Sequence, residues 1–442
     1  MKAHYEIVVV GAGPAGLAAA RAAAGAGARV AILDDNPRAG GQIWRQGPVF
    51  EPAAPLVESL AALRASSVEL IAGARVVAAL PGRELLVEQA SAEAGGAILG
   101  YDKLIVATGA RELLLPFAGW TLPGVTGAGG LQALVKGGVP VRGERIVIAG
   151  SGPLLIAALA TARGAGANVL AVVEQASARA VRGFALSLTA TPSKLVQAAR
   201  LTRGFIGVDY LTGGVLRAAH GSSRVEAATI EIEGRPRVIE CDRIACGYGL
   251  VPNLTLPLAL GCELRDGAVA VDARQRTSRE AVFAAGESTG IGGMELARAE
   301  GALAGLAAAG VDEGALAGLA AAGVDEGDRR VAALMREREV WRGFAARVAR
   351  TFALGDAARA LPPDDTVLCR CEDVTLGAAR GYADARDAKL QTRCGMGACQ
   401  GRVCGAAGAA LLGWQEAAIP RPPFSPVRIG TLAALAADEP LL

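Results

Sequence analysis

Histidine is almost absent. Two occur in 442 residues, His4 and His220, and neither stands in a motif. His4 precedes a strand-like run and His220 lies in the loop-like "AAHGSS". Both read as solvated surface residues. That leaves no evident histidine base and excludes a zinc site of two cysteines and two histidines. Aromatics make up 4% of the chain, and no basic run is interleaved with them. Lys and Arg number 45 against 43 Asp and Glu, so the charge carries no nucleic-acid footprint. No apolar run reaches the ~18 residues that a membrane span needs. The N-terminus runs straight into a strand, with no signal-like segment, so the expected location is cytoplasmic. Cysteine is missing from the first 240 residues. In a cytosolic chain, thiols serve as metal ligands or redox groups more often than as structural disulfides.

The chain is too long for a single core, so two or three domains are expected. It opens with "YEIVVVGAGPAGLAAARAAAGAGARVAILDDNPRAGGQIWR", a strand, turn, helix and strand. Gly11, Gly13 and Gly16 fit G-x-G-x-x-G. The first glycine permits the tight turn, the second admits a pyrophosphate, and the third lets helix and strand pack closely. Pro14 and Ala15 open the helix, whose free N–H groups face the phosphates. Asp34, with Asp35 beside it, ends the second strand at the spacing of an acid that holds a ribose 2′-OH. The motif does not separate FAD from NAD.

A second strand-turn-helix-strand unit runs from Gly143 to Gln175. Gly150 and Gly152 match the pattern, but the third position is Leu155, and Glu174 ends the next strand. A leucine at the close-packing position should push the helix outward and loosen the grip on a dinucleotide. Three outcomes stay open: an NAD(P) site, an empty site, or a site for another nucleotide. Cys241, Cys246 and Cys262 are scattered through strand-like segments and read as buried, inert thiols. No C-x-x-C lies in this unit, so disulfide reduction is not expected.

"EGALAGLAAAGVD" occurs twice in tandem, at 300–312 and 313–325. Gly310 suits the residue just past a helix end and Asp312 suits the cap of a following helix. The repeat reads as an extra short helix inserted by duplication, with the insert, 313–325, a surface helix. Five cysteines then close the chain: Cys369, Cys371, Cys394, Cys399 and Cys404. A four-cysteine zinc site is possible, although C-x-C is an awkward zinc-knuckle spacing, and the plant-type ferredoxin spacing is absent.

Four ordered motifs resemble the thioredoxin-reductase-like flavoproteins. They are the first glycine turn, "GGQI" (40–43), "YDKLIVATGARE" (101–112) and "AVFAAGESTGIGG" (281–293). The resemblance implies FAD, held also by Gly41, Gln42, Thr108, Gly109, Gly286 and Glu287. Glu287 stands where that family usually has the shorter Asp. The pattern C-x-C … G-M-G-x-C-Q-G-x-x-C resembles the bacterioferritin-associated-ferredoxin-like [2Fe–2S] module. That implies Cys369, Cys371, Cys399 and Cys404 as ligands, with Cys394 a fifth thiol; the choice between Cys394 and Cys399 stays open.

"DDNPRAGGQIWR", "PGVTGAGGLQALVKGG", "GYGLVPN" and "TRCGMGACQGRVCG" extend the likeness over nearly the whole chain. The chain resembles the FAD-binding alpha (A) subunits of multisubunit bacterial amino- and imino-acid dehydrogenases, of the opine oxidase, D-hydroxyproline dehydrogenase and hydrogen cyanide synthase type. The resemblance implies an α/β fold of two Rossmann-like dinucleotide-binding domains, the second inserted in the first, plus a small C-terminal helical [2Fe–2S] domain. The expected boundaries are 1–115 with 256–350, then 116–255, then 351–442. It implies an electron relay between flavin and cluster in a hetero-oligomer. One partner would be a D-amino-acid-oxidase-like flavoprotein, the beta subunit. The other would be a small ferredoxin-like gamma subunit. A stand-alone NAD(P)H-dependent reductase is the alternative.

Overall fold

The fold is seen in a computed structural model that describes residues 3–90, 95–202, 205–311, 326–415 and 420–435. β1 (His4–Val10), α1 (Pro14–Gly25), β2 (Val30–Asp34), α2 (Ala54–Arg64) and β3 (Glu69–Ala72) begin the chain. Ile7 and Val9 of β1 enter one apolar core, and Tyr5 and Val8 enter another. Side chains leaving on opposite sides in this way mark a strand buried on both faces. β4 (Ala74–Leu80), β5 (Glu84–Gln89) and the long β6 (Gly96–Val106) follow. They complete the order β3-β2-β1-β6-β5-β4. β1, β2, β3 and β6 run parallel, whereas β4 and β5 form an antiparallel flap.

The chain leaves this sheet through β7 (Ala110–Glu112). A second, all-parallel sheet is built from β8 (Val125–Gly127), β9 (Arg145–Gly150), β10 (Asn168–Glu174) and two later strands. Its helices include α3 (Ala128–Lys136), α4 (Leu154–Gly164), α5 (Ala178–Ser187) and α6 (Pro192–Thr202). β11 (Asp209–Thr212) ends one edge. β12 (Gly214–His220), β13 (Ala227–Ile232) and β14 (Arg235–Glu240) make an antiparallel meander, and β15 (Arg243–Gly247) returns between β9 and β8. β16 (Leu250–Pro252) then pairs antiparallel with β7. This two-stranded ribbon is the crossing between the sheets. Asn253 fastens it: its side chain donates to Thr108 O at 2.9 Å, and the Thr108 hydroxyl donates to Asn253 O at 3.0 Å.

Back in the first sheet, β17 (Val282–Ala284) pairs with the end of β6. α7 (Met294–Ala308) lies along α1. The two helices approach through small residues: a Cβ on Gly301 would stand 2.1 Å from Ala15 O, and one on Gly305 would stand 2.1 Å from Ala19 O. The first copy of the repeat is therefore core, with Leu303 and Leu306 buried. Gly310 ends it as expected, at φ +77°, with Val311 N bonded to Leu306 O and Gly310 N to Ala307 O. That is the double bond of a Schellman stop. The second copy, and the expected cap Asp312, lie outside the described residues.

α8 (Glu326–Thr351) leads to the cysteine region, where α9 (Ala385–Thr392) and α10 (Cys404–Leu412) pack around Leu368, Cys369 and Trp414. The tail then returns to the first sheet: Phe424 enters the core beside Tyr5 and Leu104, and Thr431 is fully buried near β5. Among the described residues, no helix is long and apolar enough to cross a membrane.

Candidate functional site

Four loops meet at the start of α1. A Cβ on Gly11 would stand 2.3 Å from Ala107 O, which precedes Thr108 and Gly109. A Cβ on Gly286 would stand 2.7 Å from the Ala15 Cβ, and one on Gly41 would stand 3.0 Å from the Gly13 Cα. Gly16 has no room either, with Gly11 O 1.8 Å from a Cβ placed there. Gly13 differs. Its nearest neighbour is the Cα of Gly41 at 3.9 Å, and its N–H has no acceptor among the described residues. The turn is closed on its protein side and open on the side a pyrophosphate approaches. Gln42 lies exposed on the same rim.

The acids at the ends of the loops divide their work. Asp34 is buried and accepts from Ala12 N at 2.5 Å and from the Asn36 backbone and side chain at 2.8 Å each. It spends its carboxylate on the turn itself. Asp35 is the acid left facing outward. Protein crowds it from one side, and this partial desolvation, with the charge of Asp34, raises its pKa against the pull of Arg75 and Arg402. Glu287 accepts from Gly293 N at 2.8 Å with one oxygen, while the other, Oε2, is buried with no hydrogen-bond partner among the described residues. Burial pushes its carboxyl up. An unpartnered buried oxygen beside an open glycine turn suits a polyhydroxyl ligand. These residues fit a flavin dinucleotide.

The second glycine turn is built differently. Glu174 is 1% exposed and accepts from Gly152 N at 2.7 Å and Ala176 N at 2.8 Å. It sits 22 residues beyond its turn donor, as Asp34 does. Being one methylene longer, it reaches the second glycine, whereas Asp34 stops at the residue before it. Leu155 is buried in the apolar layer between α4 and its sheet. Cys241, Cys246 and Cys262 are buried as expected, and burial raises the first two thiols to about 11 and about 12. His4 and His220 are both exposed.

The five clustered thiols share one corner. The sulfurs of Cys369, Cys394 and Cys404 lie within 4.8 Å of one another, and all three are buried. Cys371 and Cys399 pair with each other at the exposed edge. So the structure joins two expected ligands to Cys394, the thiol expected to stand aside, and sets the other two alongside. Burial opposes ionisation at Cys399, but the Val403 N–H, the Cys371 thiol and the N–H groups of Gly401 and Arg402 outweigh it and hold the thiol below its usual range. Cys404 is pushed up, first by its bond with Cys394 and then by burial. Gly395 N donates to Cys369 Sγ at 3.4 Å. A Cβ on Gly397 would stand 2.1 Å from Cys371 Cβ. A loop of thiols and inward amides, with no histidine or carboxylate among its donors, fits a soft metal centre.

What joins the two sites has no signature in the sequence. Arg111, two residues beyond Gly109, donates to Arg402 O at 2.9 Å and to Pro252 O at 2.8 Å. Arg402 donates in turn to Phe424 O at 3.2 Å. Glu112, next along, is half-buried at the start of α3 and accepts from Gly129 N at 2.8 Å. "ARE" signals nothing by pattern, because both side chains reach groups distant in sequence, most of them backbone.

Residues 5–303 match the pyridine nucleotide-disulphide oxidoreductase family. The A subunit of Rhizobium meliloti opine oxidase is 31% identical over 98% of this chain and 88% of its own. The HcnB subunit of Pseudomonas aeruginosa hydrogen cyanide synthase is 32% identical over 90% of each. Among solved folds, T. acidophilum thioredoxin reductase aligns with a TM-score of 0.55 at 20% identity, covering 70% of this chain and 99% of that one. P. horikoshii L-proline dehydrogenase aligns with a TM-score of 0.62 at 17% identity, covering 97% and 79%.

Proposed function

The chain belongs to the pyridine nucleotide-disulphide oxidoreductase family, together with the opine oxidase A subunit and the hydrogen cyanide synthase HcnB subunit, and we propose that it is the electron-handling subunit of an amino-acid, imino-acid or opine dehydrogenase. FAD would lie in the first crevice. Gly13 and the start of α1 would face the pyrophosphate, Asp35 the ribose, and Glu287 Oε2 the flavin's hydroxylated chain. When bound, the flavin takes two electrons at once and a [2Fe–2S] cluster carries one, so together they split a hydride equivalent into single electrons. Cys369, Cys371, Cys399 and Cys404 would hold the cluster, with the amides of Gly401, Arg402 and Val403 stabilising negative charge on sulfur.

The observation that carries this reading is the Arg111 to Arg402 bond. It ties the thiol loop to the ribbon that leaves the flavin crevice, so the two redox sites share one mount. No histidine lies near either site, and no base for substrate stands out. A D-amino-acid-oxidase-like beta subunit would oxidise the CH–NH or CH–NH2 donor, with a small ferredoxin-like gamma subunit completing a cytoplasmic hetero-oligomer. The test is the purified chain itself. It should carry one flavin and about two irons, with a rhombic EPR signal after reduction. A flavin-free chain sinks the first assignment, and one zinc with no iron sinks the second.

A further inference from the structure

The second dinucleotide fold has a ligand already, and it is part of the chain. After α8 the backbone crosses the mouth of the second glycine turn as a short strap, residues 352–355. Ser151 Oγ donates to Phe352 O at 2.9 Å. Gln175, the residue after the strand-end acid, holds the strap at two points: its Nε2 donates to Ala353 O at 2.9 Å and its Oε1 accepts from Gly355 N at 3.0 Å. Arg217 fixes the next turn through Ala357 O at 2.9 Å.

The two turns can be compared atom by atom. In a Rossmann fold the second glycine faces the pyrophosphate because it lacks a side chain. At Gly13 that face meets only another glycine, whereas a Cβ on Gly152 would touch the Phe352 side chain at 3.6 Å. The N–H that would greet the phosphate is unpartnered at Gly13 among the described residues, whereas at Gly152 it already bonds Glu174. Burying a phosphate there would set it against that carboxylate. Space, donor and charge all differ in the same direction, and Gln175 reads a peptide backbone where a ribose would otherwise be read. We infer that this crevice is a socket for the chain's own strap and excludes dinucleotides, so that electrons reach the first site from a partner and not from NAD(P)H.

Hydrogen exchange followed by mass spectrometry on the full-length chain tests this. The Gly355 amide and its neighbours should exchange slowly. Protection over 352–358 should fall several-fold in the Ser151→Ala/Gln175→Ala double variant, with flavin content unchanged. Gln175→Ala alone, whose side chain is only half-buried, should show a smaller loss and guards against misfolding of the double variant. Millimolar NADH, NADPH or ATP should leave exchange at 150–153 and 352–358 unaltered in the parent. Unprotected strap amides in the parent would overturn the inference. So would any of these nucleotides speeding exchange in the strap while slowing it at the turn, since that is the signature of displacement from a working nucleotide site.

Discussion

Glycines that share one motif do different jobs here. At Gly13 a side chain would enter the space left for a ligand, while at Gly16 it would strike Gly11 O. Gly13→Val should therefore yield a folded chain without flavin, and Gly16→Val should yield little soluble protein. Flavin absorbance of the purified variants, with circular dichroism as the check on folding, separates them. Asp35 gives a pH test. Its folded pKa is raised, so the folded state holds more protons than the unfolded one, and its contribution to stability falls as pH climbs from the unfolded carboxyl value through the folded one. Asp35→Asn should make the flavin-free protein as stable or more stable at neutral pH, should converge with the parent at strongly acid pH, and should weaken flavin binding. Melting curves across pH would show the opposite trend if Asp35 were held by an unseen cation. At the cysteines, a two-iron centre takes four protein ligands, so one of five thiols is spare. Cys394→Ala should keep the cluster and Cys399→Ser should lose it. Because Cys394 is the thiol gathered with Cys369 and Cys404, the reverse result, a colourless Cys394→Ala beside an intact Cys399 variant, would reassign the third ligand. Sequence spacing locates the five thiols but cannot rank them, since their order depends on a loop folded around Gly395 and Gly397.

Among the elements, the glycine turns and strand ends are legible because each rests on a local requirement: a turn, a free N–H, a cap. Gly310 is legible for the same reason. A helix is expected after the 281–293 motif and is found from Met294, but its burial is not legible, because its core face is made largely of Gly and Ala, so few large side chains mark the buried stripe. Asp34 misleads in another way: a count of residues suggests a ribose partner and does not show that its oxygens are bound to Ala12 and Asn36. The small-residue contact has a measurable strength. Gly305→Ala gains about 1 kcal/mol of helix propensity, but its Cβ would meet Ala19 O at 2.1 Å. Overpacking of a close contact costs about 1–3 kcal/mol, and a clash with backbone lies at the upper end, so a net loss of melting temperature is expected. The tandem repeat offers a cleaner experiment. Its copies are identical, so deleting 300–312 or 313–325 produces the same chain. The remaining copy supplies Gly301 and Gly305 for the α1 contact and Glu300 for Gly286 N, and the deletion should leave flavin, iron and melting temperature nearly unchanged. A large loss of flavin-loaded protein would show that thirteen further residues are needed to reach α8.

For the whole molecule, the thiol corner is held on several sides. Arg111 reaches Arg402 from the ribbon, Trp120 Nε1 donates to Val367 O at 2.6 Å, and the tail carries Phe424 into the first core. None of these long-range ties has a sequence signature, which is why the corner reads as an appended module and not as a part clamped to its neighbours. The clamp bears on function. If both redox sites sit on one mount and a partner carries the substrate site, as proposed, the isolated chain should hold its cofactors yet fail to oxidise an amino acid, an imino acid or an opine. Supplying the partner that carries the substrate site should then bleach this chain's flavin band in single-turnover mixing and should produce its EPR signal. Arg111→Ala should slow the second event more than the first, because it removes the tie between ribbon and thiol loop without touching the thiols or Gly13. Full turnover by the single chain would refute the division of labour. Equal slowing of both events would refute the role given to the tie alone.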